Sequence, residues 1–238
     1  MALAQLRALT FDVFGTVVDW RGSIIDEGER VWRAKGVDVD WAAFADAWRG
    51  LYQPSMEKVR SGAQAFVPLD VLHRQNLEQV LTDFGVTHLS GEDKAELNRV
   101  WHRLRPWPDV VSGLTRLKSK FIIGTLSNGN IALMVNMAKH GALPWDVILG
   151  AEVARQYKPH PDAYLNTAKA LDLAPSQVML VAAHNDDLQA AGAVGYQRGF
   201  VARVGEYGPA QLKDLEPEHS FEAVATDFND LADQLGCL

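Results

Sequence analysis

A buried strand that ends in an aspartate constrains the fold of this chain more than any other stretch. Residues 8–20 read ALTFDVFGTVVDW, and the apolar residues around Asp12 are typical of a buried strand. The run Phe14-Gly15-Thr16 predicts a sharp turn directly afterwards. Asp12 is therefore expected at the carboxyl end of the strand, which is where open α/β sheets place their chemistry. An unpaired carboxylate is costly there, so Asp12 is either a functional group or an ordinary helix-capping or loop aspartate.

A long helical stretch follows, over about residues 22–105. Its apolar residues recur at three- and four-residue spacings, and glycine, serine and proline interrupt them, which predicts four or so amphipathic helices with short connections. Six of the seven tryptophans lie between Trp20 and Trp107, so they are expected to pack this bundle.

Strands and helices alternate from Pro106 onwards. Apolar runs predict strands at 121–126, 147–149, 178–183 and 199–202, with helices at 131–140 and 162–171 and a third that ends at 194. Such repeated units predict an α/β fold with a doubly wound parallel sheet. The first strand must join this sheet, because an isolated strand would leave its backbone groups unpaired. The helical bundle is then an insertion after strand one, while the tail, 205–238, shows little patterning.

Charge and composition narrow the classes of partner. The 238-residue chain has a net charge of -7 and no Lys/Arg block, which disfavours nucleic acid and anionic membranes as partners. A small anionic substrate still fits if a few cations line its site. The chain has no apolar run of 18 residues and no stretch of signal length at its start, so we expect a cytoplasmic protein. Cys237 is the single cysteine, which excludes an internal disulfide and a cysteine metal cluster.

Polar residues follow four of the predicted segments. They are Asp12, the pair Ser127-Asn128, Lys158 and Asp187. Because the carboxyl ends of parallel strands meet at one edge of a sheet, these side chains are expected to converge on one crevice.

The order of these motifs resembles the haloacid dehalogenase superfamily. The resemblance is carried by Asp12 with Thr16 four residues on, LSN at 126–128, the lysine of YKP at Lys158, and an acidic motif that ends in Asp187. It implies a Rossmann-like catalytic core with an inserted helical cap domain after strand one. The core is then expected at 1–20 and 106–238, and the cap at 21–105.

Within that superfamily, the residues resemble the L-2-haloacid dehalogenases more than the phosphatases. Phosphatases carry a second Asp two residues after the nucleophile, where this chain has Phe14, and a carboxylate after the fourth strand, where it has Ala183. Hard cations need oxygen ligands, and without a metal Asp12 would repel a phosphate dianion. A halide leaves without a proton and without a metal. We therefore expect no metal and no cofactor.

The resemblance implies a two-step hydrolysis of short 2-haloalkanoic acids. Asp12 attacks C2 of the substrate, expels halide with inversion and forms an ester, and water then hydrolyses the ester to release a 2-hydroxy acid. Lys158 is expected to keep Asp12 ionised, and Thr16 to fix the Asp12 loop. Asp187 is the candidate for orienting or deprotonating the water, with Asp186 as second choice.

The remaining expected site residues bind the substrate. Arg49 matches the cap arginine that receives the halide, with Arg21 as its rival, and a guanidinium is weakly hydrated enough for a dry pocket. Ser127 and Asn128 open a helix whose free amides suit the substrate carboxylate or serve as an ordinary helix cap. Tyr164 matches a pocket tyrosine of the family.

Three further positions flank the nucleophile or depart from the family pattern. Val13 and Phe14, next to Asp12, are expected to contact substrate. His184 stands where the family often has a smaller polar residue. It could donate a hydrogen bond to the departing halide, contact the nucleophile loop, or be a structural histidine. A donor at this place would help fluoride to leave, so turnover of fluoroacetate is a hypothesis.

Two alternatives stay open from sequence alone. One is a magnesium-dependent phosphatase of the same fold, and the other is a non-catalytic member that binds a carboxylate or a partner. The expected partner is a small 2-halocarboxylate, and exposed apolar residues of the cap permit a homodimer.

Overall fold

Six parallel strands form the central sheet of the protein, in a computed structural model that describes residues 5–237. The strands are β1 (Ala8–Phe11), β2 (Val18–Asp19), β3 (Arg105–Pro106), β4 (Ile122–Ser127), β5 (Val147–Gly150), β6 (Val178–Ala182), β7 (Gln197–Val201) and β8 (Ala223–Ala225). The order across the sheet is β5-β4-β1-β6-β7-β8, and a separate antiparallel pair is formed by β2 and β3. The predicted α/β fold class with its parallel sheet is confirmed.

The chain reverses direction across the sheet between β1 and β6. It first adds β4 and β5 on one side of β1, then crosses to the other side and adds β6, β7 and β8. Phe11 pairs in register with Thr125 of β4 and with Val181 of β6, so the segments after these three strands emerge side by side. A crevice at such a switch point is the usual ligand site of doubly wound sheets.

Eleven α-helices of four residues or more are found within the described part of the chain. Five of them lie between β2 and β3, and the other six lie between or after the later strands. They are α1 (Trp20–Glu27), α2 (Trp41–Gly50), α3 (Tyr52–Arg60), α4 (Leu69–Asp83), α5 (Gly91–Asn98), α6 (Val110–Lys118), α7 (Ile131–Gly141), α8 (Ala151–Ala154), α9 (Pro161–Ala170), α10 (Asn185–Ala193) and α11 (Phe228–Gln234). None of the helices within 5–237 has the length and apolar character needed to cross a membrane.

The helices α1 to α5 enter and leave the sheet region through one short ribbon. Val18 pairs with Pro106 and Asp19 with Arg105, so the two ends of the helical segment are hydrogen-bonded to each other. Asp19 also accepts a hydrogen bond from Gly22 N and caps α1. The division into a core at 1–20 and 106–238 and a cap at 21–105 stays a prediction.

The apolar side chains of this helical segment are buried as their spacing predicts. Trp32, Trp41, Trp48 and Trp101 are each at most 1% exposed and belong to one core that continues into β1. The strands predicted after the helical segment correspond to β4, β5, β6 and β7, with ends within two residues of the predicted ones, whereas the short strands β2 and β3 were not predicted.

The last strand and helix were not predicted from the sequence. β8 has three residues, which is too short for alternation to stand out, and α11 is recognised by its cap, where Asp227 accepts from Asp230 N. α11 packs so closely on α6 that a Cβ on Gly113 would lie 2.4 Å from Cβ of Phe228.

Replacing Gly150 by alanine should lower the free energy of unfolding by about 1–3 kcal/mol. Gly150 ends β5 with a φ of 131°, and a Cβ there would lie 2.2 Å from the carbonyl oxygen of Ser127. Gly50→Ala is the matched control, because Gly50 is helical and has open space around it. Urea unfolding monitored by tryptophan fluorescence measures both changes. Equal stabilities of the two variants would contradict the prediction.

Candidate active site

Asp12 leaves β1 and its carboxylate is buried at the switch point, with 7% of the residue exposed. Lys158 Nζ donates to Oδ1 at 2.9 Å, and Thr16 Oγ1 donates to Oδ2 at 2.8 Å. The hydroxyl oxygen of Thr16 in turn accepts from Ala183 N at 2.9 Å, which directs its hydrogen to Asp12. Elements from three parts of the chain thus position this carboxylate.

The charge of Asp12 is set by its neighbours and not by its burial. Burial alone would raise the pKa of the carboxyl group, but the positive charges of Lys158 and His184 lower it well below its usual range. Asp12 is therefore a carboxylate at any physiological pH, as a nucleophile must be.

Lys158 links Asp12 to a second carboxylate. Its Nζ also donates to Oδ2 of Asp187, whose Oδ1 accepts from Tyr164 OH at 2.7 Å. The lysine is 5% exposed; burial alone would lower its pKa, but the two carboxylates raise it. Its backbone N donates to Asn128 Oδ1 at 2.8 Å, which fixes the loop that carries it. The structure thus brings together Asp12, Lys158 and Asp187, as predicted from the sequence.

His184 lies between two carboxylates. Its Nδ1 is 3.2 Å from Oδ2 of Asp12, and its Nε2 is 2.9 Å from Oε2 and 3.1 Å from Oε1 of Glu206. Burial alone would lower the pKa of the imidazole, but Glu206 and Asp12 raise it well above its usual range. Only an imidazolium can donate to both sides at once. Of the roles considered from sequence, contact with the nucleophile loop is the one seen here.

Arg49 faces the same crevice from the last turn of α2. Its guanidinium carbon lies 4.1 Å from the ring centre of Tyr52 and 5.3 Å from that of Trp20. Its Nη1 is buried and has no hydrogen-bond partner among residues 5–237. The rival Arg21 is instead held by Asp46, with Nε 2.7 Å from Oδ1. Arg49 is therefore the arginine with a free donor beside the crevice.

These side chains surround a cavity of about 410 Å³. Four acidic residues and four basic ones line it, together with polar and aromatic groups. The lining includes Asp12, Asp186, Asp187, Asp214, Arg49, Arg60, Lys158, Lys213, Tyr52, Asn128, His184 and Tyr207. A larger cavity of about 620 Å³ lies by α1, lined by residues such as Glu27, Glu96 and Arg103 that pair with each other. The smaller cavity is the candidate active site because it contains the buried carboxylate of Asp12.

Some of the expected substrate-binding residues lie behind the wall of this cavity. Val13 and Phe14 are buried, and the Phe14 ring packs at 5.8 Å from the ring of Trp101. Ser127 is fully buried and its Oγ accepts from Gly129 N at 3.0 Å. The predicted contact of Val13, Phe14 and Ser127 with substrate stays a prediction, since the cavity is lined by other residues of the described chain.

Several site residues were not indicated by the sequence. Tyr52, Arg60, Lys213 and Asp214 line the cavity, and Glu206 and Tyr207 contact or neighbour His184. The last two lie in the segment after β7, where no periodicity or motif marks them. Glu206 is 1% exposed and accepts from Trp20 Nε1 at 3.1 Å in addition to His184. The position of the Glu206 carboxylate depends on Gly15. The backbone of Gly15 has a φ of 92° and passes so close to Glu206 that a Cβ at position 15 would lie 2.1 Å from Oε1 of Glu206. Contacts between such distant segments leave no local signal.

Comparisons with known proteins show which family this chain belongs to. Residues 6–195 match the family model of the haloacid dehalogenase-like hydrolases. A crystal structure of a defluorinating L-2-haloacid dehalogenase is 51% identical, with a TM-score of 0.95 over 98% of this chain and 96% of that one. Another L-2-haloacid dehalogenase structure is 45% identical, with a TM-score of 0.94 over 97% of this chain and 99% of that one. (S)-2-haloacid dehalogenase 1 of Pseudomonas sp. (strain CBS-3) is 26% identical, over 92% of this chain and 94% of its own length.

The chain belongs to the haloacid dehalogenase-like hydrolase family. Its likeness to L-2-haloacid dehalogenases extends over nearly the whole length, so the branch predicted from Phe14 and Ala183 is confirmed.

Replacing Lys158 by glutamine should raise the pKa of the Asp12 carboxyl group. The variant loses the positive charge that most lowers this pKa, whereas the burial that raises it stays. Carbon-13 NMR titration of the Asp12 carboxyl carbon measures the change. Lys94→Gln, which removes a lysine paired with Glu78 on the helices, is the control and should leave this titration unchanged. An Asp12 pKa equal to that of the parent would contradict the electrostatic role of Lys158.

Proposed function

We propose that this protein hydrolyses the carbon–halide bond of short 2-haloalkanoic acids to give 2-hydroxy acids, through an ester on Asp12 and with inversion at C2. The observation that carries the proposal is the buried, ionised carboxylate of Asp12, which lies in a charged cavity with Arg49 and shares Lys158 with a second carboxylate, Asp187. The similarity to L-2-haloacid dehalogenases over nearly the full chain supports it.

In the first step, Asp12 attacks C2 opposite the halogen. The carboxylate gives an electron pair to carbon, the carbon–halogen bond breaks, and the halide leaves with that bond's electrons. Arg49 receives the halide, because its Nη1 has no other hydrogen-bond partner in the described chain and its aromatic surroundings exclude water. Attack from behind inverts the configuration at C2. No proton is needed for the halide to leave.

In the second step, water attacks the ester carbonyl carbon of Asp12. Asp187 lies on the other side of Lys158 and accepts the proton of this water. Tyr164 donates to the other oxygen of Asp187 and fixes its orientation. Asp186, which also lines the cavity, is the second choice for this role.

The substrate carboxylate binds at the start of α7 in this proposal. Ser127 and Asn128 precede that helix, whose amino-terminal end favours an anion. The first amide of α7, Ile131 N, already donates to Oε2 of Glu152, so the substrate carboxylate would use the other amides there. Arg60 and Lys213 line the same cavity and add positive charge for an anionic substrate.

Attack on carbon is favoured over phosphoryl transfer by what surrounds Asp12. Both of its oxygens are engaged by donors, Lys158 at one and Thr16 with His184 at the other. A magnesium ion at Asp12 would lie beside two positive side chains and next to the apolar ring of Phe14, which offers no oxygen ligand. The other alternative, a non-catalytic protein that binds a carboxylate or a partner, does not explain why the cavity contains the ionised carboxylate of Asp12 close to Asp187, a candidate general base. A reaction without a metal or cofactor fits these residues.

The domain boundaries, the cellular location and the oligomeric state also belong to this proposal. We place the catalytic core at 1–20 and 106–238 and the helical cap at 21–105, because the β2–β3 ribbon joins the two at these positions. A cytoplasmic location and a homodimer are further predictions from the sequence.

A single turnover in heavy-oxygen water tests the ester mechanism. With enzyme in excess over 2-chloropropionate, the label should enter Asp12 and not the 2-hydroxypropionate, because water attacks the carboxyl carbon of Asp12. Mass spectrometry of the peptide and of the product measures both. Asp12→Asn should lose halide release by several orders of magnitude, and label in the product would mean direct hydrolysis. Chiral chromatography of the product reports the inversion.

Release of fluoride from fluoroacetate tests the finer substrate prediction. The similarity to a defluorinating dehalogenase supports this activity. We expect the parent to release fluoride and His184→Ala to release it more slowly, with a fluoride electrode as the measurement. Equal rates would show that His184 has no role in fluoride release, and no fluoride release by the parent would show that fluoroacetate is not a substrate.

A further inference from the structure

We propose that Glu206 is a positioning residue for the second step of this reaction, because it holds His184 as a hydrogen-bond donor on Oδ2 of Asp12 while the ester is hydrolysed. The inference rests on the proposed function, and it concerns a residue that does not touch the substrate. It starts from the pairing of a buried carboxylate with a histidine that itself contacts Asp12.

Glu206 is built into the site and is not a surface carboxylate that happens to lie near it. The residue is 1% exposed, and its carboxylate accepts from Trp20 Nε1 at 3.1 Å and from His184 Nε2 at 2.9 and 3.1 Å. A carboxylate with so little exposure needs a positive partner, because burying an unpaired charge is costly. The imidazolium of His184 is the positive group in hydrogen-bond contact with it.

The charges around His184 change during the cycle. In the free enzyme the imidazolium lies between Asp12 and Glu206. Once Asp12 becomes an ester it loses its negative charge, and Glu206 is the carboxylate that still contacts His184. The imidazolium therefore persists in the intermediate. Its Nδ1–H then stays on Oδ2 of Asp12, beside the hydroxyl of Thr16.

Two donors on Oδ2 suit this atom for the negative charge that forms during hydrolysis. We assign the attack on C2 to Oδ1, so that Oδ2 becomes the ester carbonyl oxygen. Water then attacks Cγ of Asp12, gives one proton to Asp187, and the carbonyl electron pair moves onto Oδ2. When this pair returns, the bond from Cγ to Oδ1 breaks and the hydroxy acid leaves with Oδ1 and the proton from Asp187. Asp12 releases the second proton of the water and is again a carboxylate.

Other charged and titratable groups line the same cavity and contribute to the electrostatic potential at His184 and Asp12. Lys158 contacts Oδ1 of Asp12, and the ring of Tyr207 lies 6.5 Å from that of His184. Arg49, Asp186, Asp187, Lys213 and Asp214 also line the cavity. Among the described residues, the donors at Oδ2 are Thr16 and His184, so the arrangement at this oxygen depends on Glu206 through His184.

The variant Glu206→Gln tests the inference, because it keeps the shape of the side chain and removes its charge. We expect halide release in the first turnover to stay within a few fold of the parent, and ester hydrolysis to slow by about 10²-fold, the usual loss for one donor to an oxyanion. Rapid mixing with 2-chloropropionate, followed by quenching and intact-protein mass spectrometry, measures the formation and decay of the ester. The ester should accumulate to nearly one equivalent.

Glu27→Gln is the matched control. Glu27 is also a mostly buried carboxylate that accepts from a tryptophan Nε1, that of Trp32 at 3.5 Å, and pairs with a cation, Arg103. It lies outside the active-site cavity, so its variant should form and hydrolyse the ester as the parent does. Ester decay at the parent rate in Glu206→Gln would overturn the inference, and so would an equal loss in both steps.

Nitrogen-15 NMR of the His184 ring gives a second measurement that needs no turnover. In the parent at neutral pH both ring nitrogens should carry a proton, and in Glu206→Gln a neutral ring should become populated as the pH rises. A neutral ring in the parent would overturn the inference even if the variant fails to fold. If the parent instead releases no halide from any 2-haloacid, the proposed function fails, and the NMR result still decides the state of His184.

Discussion

The pairing of Asp12 with Lys158 is the interaction on which the rest of the site depends. A carboxylate buried to this degree would ordinarily take up a proton, and a protonated Asp12 could not attack carbon. The buried positive charges that stabilise Asp12 are themselves paired with carboxylates. Lys158 contacts Asp187, and the second cation, His184, contacts Glu206. Each charge in direct contact with Asp12 thus has a partner of opposite sign, which explains how several ionised groups can lie together in one largely buried crevice.

The sheet topology brings these charges together at little conformational cost. Asp12 follows β1 and His184 follows β6, and these adjacent strands lie on either side of the point where the winding reverses. The loops that carry Asp12 and His184 each begin at the end of a buried strand. The sheet therefore helps to position these side chains, in addition to their contacts with each other. The helices α1 to α5 supply the other wall, where Arg49 is set among aromatic rings that keep water away from the cation.

What the sequence could predict follows from how local each signal is. Asp12 and Asp187 come shortly after β1 and β6, and the ends of parallel strands must meet, so their proximity could be derived. Lys158 lies beyond α8, and its place beside Asp12 was expected mainly from the family resemblance. The strands were recognisable from their apolar runs, whereas β8 is too short for its pattern to stand out. Glu206 could not be predicted, because its role depends on contacts with Trp20 and His184, which are distant in the chain. The burial of Val13 and Phe14 likewise depends on packing against the helices.

Gly15 shows how a residue without a side chain can govern the chemistry of this site. Its backbone passes so close to Glu206 that any larger residue would have to displace the carboxylate, and its positive φ already disfavours other residues. Substitutions at position 15 are therefore expected to be poorly tolerated, although Gly15 has no reactive group of its own. A natural variant altered there could keep every polar atom of the crevice and still lose turnover, because the counter-charge behind the imidazole would have been pushed away.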